Sequence, residues 1–312
     1  MNRAADGRGQ TANVSAAARA YRRGVVFVLL GSVSSSWLGL GVRVMESATA
    51  WQILAYRSLG AILFLLAFIA LRNPGRLVAT FRAAGLASIV AGIGLAAAFS
   101  GIIVAIQGAS VANAMFLLAA APFLAAVLGR LLLGERVRGA TWAAILCAFI
   151  GVGIMVAEGI GFGHVRGNVA GLIGALGLAT YIVALRRGHL TDMLPCNVIG
   201  GVIGLAVAAT VCLSTGDGLA ISLHDTLWSL AMGVFQLGLA LVLFTMGSRT
   251  VPAADMTLLA MTEVVLAPFW VWLVFGETAG VFTLIGGALL LAAVAVDAVT
   301  GVRDRKTNGG PR

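Results

Sequence analysis

The stretch LLAAAPFLAAVLGRLLLGER, residues 117–136, returns as LLAMTEVVLAPFWVWLVFGE at residues 258–277, so that Gly134-Glu135 answers to Gly276-Glu277 at an offset of about 142. Each copy is an apolar run of about 20 residues, the length that crosses a hydrocarbon layer of roughly 30 Å. Each closes on a Gly and an acid and is followed by a Gly/Ala-rich span. With one residue of slip, Gly24 and Arg43 of the first apolar run also fall opposite Gly167 and Arg186 of the sixth. The repeating unit is therefore larger than one helix.

Working outward from this pair, the whole chain reads as membrane. Of its 312 residues, 60% are apolar and a further 41 are Gly, while only 11% are charged. Soluble domains carry about a quarter charged residues, so this chain lacks the polar groups to cover a water-facing globule. Its mean hydropathy of +1.01 agrees. Runs of about 20 apolar residues give ten spans, at 24–44, 51–71, 83–106, 111–133, 140–157, 169–185, 195–213, 227–246, 254–275 and 281–299. Between them lie only short loops, and no GxxxxGK[ST] phosphate loop occurs, so the chain itself supplies no nucleotide-driven domain.

The net charge of +9 is almost wholly arginine, scattered between apolar runs, which is a topological pattern and not a nucleic-acid patch. With the N-terminus inside, 18 of the 21 Lys and Arg fall in the cytoplasmic loops and tails, leaving Arg43, Arg57 and Arg166. Glu46, Glu158, Asp217, Asp225 and Glu277 fall outside. Both ends are then cytoplasmic, and the polar first 23 residues read as a tail and not as a signal peptide. Cys147, Cys196 and Cys212 show neither CxxC spacing nor an even count, so no disulfide framework or metal site is read from them.

The division is a tail at 1–23, five spans at 24–158, five more at 167–300 and a tail at 301–312. Because five is odd, the second copy enters the membrane the other way up. The expectation is an all-α polytopic membrane protein of ten transmembrane helices in two inverted five-helix repeats. Inverted repeats are a transporter signature, with the substrate site near the midplane between halves.

The ten spans, the duplication and the endings LLLGER and LVFGET resemble the drug/metabolite transporter superfamily, specifically its EamA-type permeases, over about residues 24–300. The resemblance implies a secondary carrier of small metabolites or drugs in the inner membrane, working by alternating access, its cavity lined mainly by spans one, three, four, six, eight and nine. It names no substrate, since members move amino acids, nucleobases, sugars and other solutes. Export is favoured because many relatives export. The proline often found midway along span nine has no counterpart at Glu263 or Val264, and Pro268 lies lower.

Two charges stand out within the spans. Glu263 lies about nine residues, or roughly 13 Å, inside span nine, where a carboxylate is costly and is a functional candidate by default. It suits binding a substrate cation or carrying protons, against the alternative of a protonated or Arg-paired structural carboxylate that fixes helix packing. Arg57, in AYRSLGA of span two, has no basic counterpart near Ile199. It suits a substrate carboxylate or a pair with Glu263, or it snorkels to the surface. Arg43 closes span one at the interface.

Trp37 with Ser34, Ser35 and Ser36, Asn113, Tyr181, Gln236, and Trp270 with Thr262 supply hydrogen bonds and stacking surfaces for a cavity. Each serves otherwise as helix–helix glue. Asp255 suits a helix N-terminus, and Gly134 and Gly276 suit C-caps. The glycines of span three (Gly85, Gly92, Gly94 and Gly101) and of span ten (Gly286 and Gly287) suit close helix approach.

Enzymatic readings find little material: no HExxH or GxSxG occurs, and His164, His189 and His224 fall in loops or at span ends with no paired acids facing them. No catalytic residue, metal or cofactor is expected, and a passive channel or structural membrane protein is the alternative to a carrier. The partners expected are a small-molecule substrate and lipid, with protons for coupling. Reporter fusions test the orientation. Fused at Arg312, a cytoplasm-active reporter is expected to work, and near Asp217 only a periplasm-active one; the opposite pattern at either site overturns the ten-span topology.

Overall fold

The computed structural model describes residues 3–72, 74–75, 77–135, 137–161, 164–188 and 193–307. Arg76, Arg136, His189 and Arg312 lie outside them, as do the side chains of Arg3, Arg8, Glu158, Arg303, Arg305 and Lys306. Among the described residues there are helices and no strands. Ten stretches are long and apolar enough to cross a bilayer: Ala18–Val44, Ala50–Arg72, Gly85–Gly108, Val111–Leu133, Gly139–Ala157, Val165–Arg187, Leu194–Thr215, Leu223–Gly247, Leu258–Phe275 and Val281–Thr300. They are called spans one to ten. The first helix starts well before span one, at Arg3, so the polar residues expected as a tail continue the same helix.

Which spans touch follows the inverted repeat. Span two packs on span seven, four on nine and five on ten, each a pair that the repeat maps onto itself. Three packs on six as eight packs on one, and four on six as nine packs on one. With alternating direction, both chain ends and the even-numbered loops share one face, here the terminal face, and the odd-numbered loops form the far face.

Close approach depends on glycine at the seam of spans three and six. Gly94, Gly101 and Gly108 lie against Gly177, Gly174 and Gly167 in antiparallel order, and a Cβ at Gly101 would come within 2.5 Å of the Ala170 carbonyl oxygen. Backbones that touch gain dispersion contacts, which is what holds helices together where lipid removes the hydrophobic drive. Gly286 likewise meets Gly151, and Gly287 the ring of Phe116. Gly85 differs from the packing role expected of it: nothing lies near its Cβ position, and its φ of 63° bends the chain as it enters span three. Gly134 and Gly276 cap spans four and nine in the left-handed conformation, at φ 67° each.

Three spans are not continuous α-helices. Span four breaks at Ala119 and Ala120, just ahead of Pro122, which has no N–H to donate and crowds the preceding turn. Span one breaks at Ser36 and Trp37 and resumes at Leu38. Span eight opens into a π-helical stretch at Met232–Gly238. Such departures recur at functional sites, because they turn backbone groups out of the helix.

Candidate functional site

The breaks in spans one and eight lie side by side and satisfy one another. Helix interruption leaves the Ser35 carbonyl available, and the Gln236 amide donates to it through Nε2 at 3.0 Å. In return the Ser34 hydroxyl donates to the Phe235 carbonyl in the π-helical stretch. Gln236 is buried, and its Oε1 accepts from Arg57 Nε at 3.0 Å. The amide is thereby read at both ends, which fixes its orientation.

Arg57 is 2% exposed and turns inward, so it does not snorkel. Its guanidinium lies 5.1 Å from the centre of the Phe99 ring of span three, within cation–π range. Its Nη1 has no hydrogen-bond partner among the described residues. Glu263 of span nine is the nearby carboxylate, without a direct ion pair, while the Ser35 hydroxyl donates to the Ser32 carbonyl at 3.2 Å. Glu263 keeps some accessible surface. Close by, the Trp270 indole N–H donates to the Ser36 hydroxyl at 3.0 Å. One centre therefore gathers Arg57, Gln236, Glu263, Trp270 and the serines at the break.

Tyr181, Asn113 and Arg43 have partners of their own, and Trp37 shares a cleft with Ser34 and Gln236. The Tyr181 hydroxyl donates to Asn197 Oδ1 at 2.8 Å in a buried junction of spans six and seven. Asn113 donates to Asn168 Oδ1 of span six at 2.5 Å, leaving its own Oδ1 without a partner. Trp37 is 50% exposed and lines an apolar cleft between spans one and eight. Arg43 is neither free nor part of the centre: its Nε meets Glu277 Oε2 at 2.8 Å and its Nη2 the Ala109 carbonyl at 3.1 Å. Asp255 accepts from the Tyr21 hydroxyl at 2.8 Å.

Sequence reasoning missed several partners. Phe99 carried no signal beyond being apolar. The pairing of Arg43 with Glu277 was open to discovery, because the repeat sets those residues opposite Arg186 and Glu135, and these also pair, at 3.2 Å on the terminal face. His224 does have acids facing it, against the expectation: its Nδ1 is 3.2 Å from Asp225 and 3.9 Å from Glu46. Asp225, fully buried, is occupied with the backbone N–H groups of Glu46, Ser47 and Ala48, so it holds the loop after span one.

The centre breaks the internal symmetry. By the repeat offset, Arg57 corresponds to Ile199 and Glu263 to Ala121, while the contact of Gln236 with the Ser35 carbonyl corresponds to that of Gly94 with the Gly177 carbonyl. Chemistry has been added at unrepeated positions of both halves, Arg57 in the first and Gln236 and Glu263 in the second.

Ten apolar spans in two inverted halves, closed over a charged centre, define an integral membrane transporter of small molecules. The chain belongs to the EamA-like transporter family, whose pattern matches residues 22–157 and again residues 165–296. A protein of Archaeoglobus fulgidus described as an uncharacterized transporter is 32% identical over 197 residues, 62% of this chain and 69% of that one. A crystal structure matches with a TM-score of 0.62 over 90% of this chain and 98% of its own, at 19% identity, a likeness of fold.

Arg57→Lys keeps the charge but loses the planar fork that bonds Gln236 and leaves Nη1 free. It is expected to weaken apparent substrate affinity about tenfold, or roughly 1.4 kcal/mol. Arg57→Ala is expected to nearly abolish transport with the protein still monodisperse on size exclusion. Unchanged affinity in Arg57→Ala would reduce this residue to packing.

Proposed function

We propose that the protein is a secondary carrier that moves a small polar or amphipathic metabolite across the inner membrane by alternating access, with both termini cytoplasmic. The observation that carries this reading is Arg57, a cation buried beside the helix breaks and bonded to Gln236 of the other half, with its Nη1 left unpartnered among the described residues and Glu263 of that half not in contact with it. Charges held apart in a low-dielectric interior are costly. A ligand bearing the complementary charges, or a proton on Glu263, relieves that cost, and relief that depends on occupancy is what a carrier cycle needs. Export is the direction favoured.

Two ion pairs supply the latches. Arg43 with Glu277 ties span one to span nine at the far face, and Glu277 also accepts from the Val111 N–H at 2.9 Å. Arg186 with Glu135 ties span six to span four at the terminal face. The pairs are repeat counterparts, each joining one half to the other, on opposite faces. Opening the far side requires parting the first, and opening the terminal side requires parting the second.

Each latch is partly exposed, so each contributes about 1 kcal/mol or less, roughly fivefold in the population of open states. In a chain freed of its three cysteines, Thr262→Cys, next to Glu263 in the chain, reports access to the centre by impermeant maleimide in right-side-out and inverted vesicles. Glu277→Gln is expected to raise far-side labelling severalfold, and Glu135→Gln terminal-side labelling. No change in either variant would remove the latches from the cycle.

A screen of metabolite accumulation and resistance in overproducing cells identifies a substrate for reconstituted vesicles. Saturable flux with trans-stimulation is expected; flux proportional to concentration without trans-stimulation would indicate a passive channel. Under proton coupling, Glu263→Gln uncouples net transport from an imposed pH gradient and spares substrate exchange. Under a substrate-binding role alone both fall, and wild-type accumulation in Glu263→Gln would leave the residue to packing.

A further inference from the structure

The inverted repeat places two clefts at corresponding positions of the bundle. One, about 650 Å³, lies between spans three, four and six at the terminal face. The other, about 420 Å³, lies between spans one and eight at the far face. Their linings correspond by the repeat offset: Leu86 and Val90 answer to Trp228 and Met232, and Leu176 and Val183 to Val33 and Leu40. At the mouth the correspondence changes character, because Arg187 in the first cleft answers to Val44 in the second. The fold thus repeats the shape, and the sequence adds a cation to one copy.

We propose that the terminal-face cleft is a binding site for one anionic phospholipid, with an acyl chain between spans three, four and six and the headgroup phosphate on Arg187. The cleft opens sideways to the bilayer, since Leu86, Leu132 and Leu176 are all exposed on its rim. Its walls are almost wholly apolar, and the Thr180 hydroxyl within it is already bonded to the Leu176 carbonyl, so nothing inside asks for a polar guest. Arg187 is exposed at the last turn of span six and has no hydrogen-bond or ion partner among the described residues, whereas its neighbour Arg186 is taken by Glu135. A guanidinium at headgroup depth above an apolar slot matches the two parts of an anionic lipid, and its planar donors suit phosphate. A neutral lipid would fill the slot without using the charge.

The test is native mass spectrometry of the full chain after exchange into mixed detergent with dioleoyl phosphatidylglycerol or dioleoyl phosphatidylcholine. Wild type is expected to retain one phosphatidylglycerol per chain and to prefer it about tenfold over phosphatidylcholine. Arg187→Gln is expected to lose the preference, while Arg22→Gln, a cation away from the cleft, keeps it. Leu132→Trp, which fills the slot and leaves the charge, is expected to lose retention, and Val44→Arg to gain a second bound phosphatidylglycerol. Equal retention in Arg187→Gln, displacement of the lipid by millimolar inorganic phosphate, or a lipid-free dimer with the cleft covered by a second copy would each overturn the proposal. Retention is read on the protein at rest, so its failure is distinct from a failure of transport.

Discussion

In hydrocarbon a backbone carbonyl or N–H without a partner costs several kcal/mol, so a membrane span leaves the α-helix only where something else completes its hydrogen bonds. Spans one and eight both leave it, at the same level, and each completes the other: Gln236 reaches the Ser35 carbonyl and Ser34 reaches the Phe235 carbonyl. The rest of the centre hangs on that exchange. Because Gln236 is pinned on one side, its free oxygen is aimed at Arg57, and because Ser36 is at the break, its hydroxyl is open to the Trp270 indole N–H. Removing the exchange would leave a buried arginine with one bond fewer and the Ser35 carbonyl without the Gln236 amide.

Symmetry explains how such a centre is affordable in a bundle of plain apolar helices. Most of the scaffold is repeated: the glycine seam, the left-handed caps after spans four and nine, the ion pairs at the two faces and the two clefts. These parts give the two halves a common framework, the kind of internal repeat on which the proposed exchange of open faces would draw. Where the repeat is broken, charge appears. Arg57, Glu263 and Gln236 replace Ile, Ala and Gly of the other half. Shared residues carry the framework, and unshared ones carry the chemistry.

Much of this was legible in the residues. A run of apolar side chains fixes where a span lies, because the hydrocarbon thickness sets its length. The duplication fixes inversion because five is odd, and charge inside such a run marks Arg57 and Glu263 as exceptional. Hydropathy does not report which way a side chain turns about the helix axis. Tyr181 and Asn113 are as polar as Gln236, yet the rotation of their helices sends them to Asn197 and Asn168, into packing junctions.

What the sequence by itself determined, then, is the number of spans, their inverted pairing and the presence of two intramembrane charges, all of which follow from local composition and a repeat offset. Only the tertiary structure decided that Arg57 turns inward to Gln236, that Arg43 is consumed by Glu277, that His224 faces acids, and that spans one and eight break together. The partners in these contacts lie between one and 234 residues apart, and most lie on different helices. Their meeting depends on the rotation and depth at which apolar cylinders settle, which close packing of glycine and small side chains sets and no local pattern records.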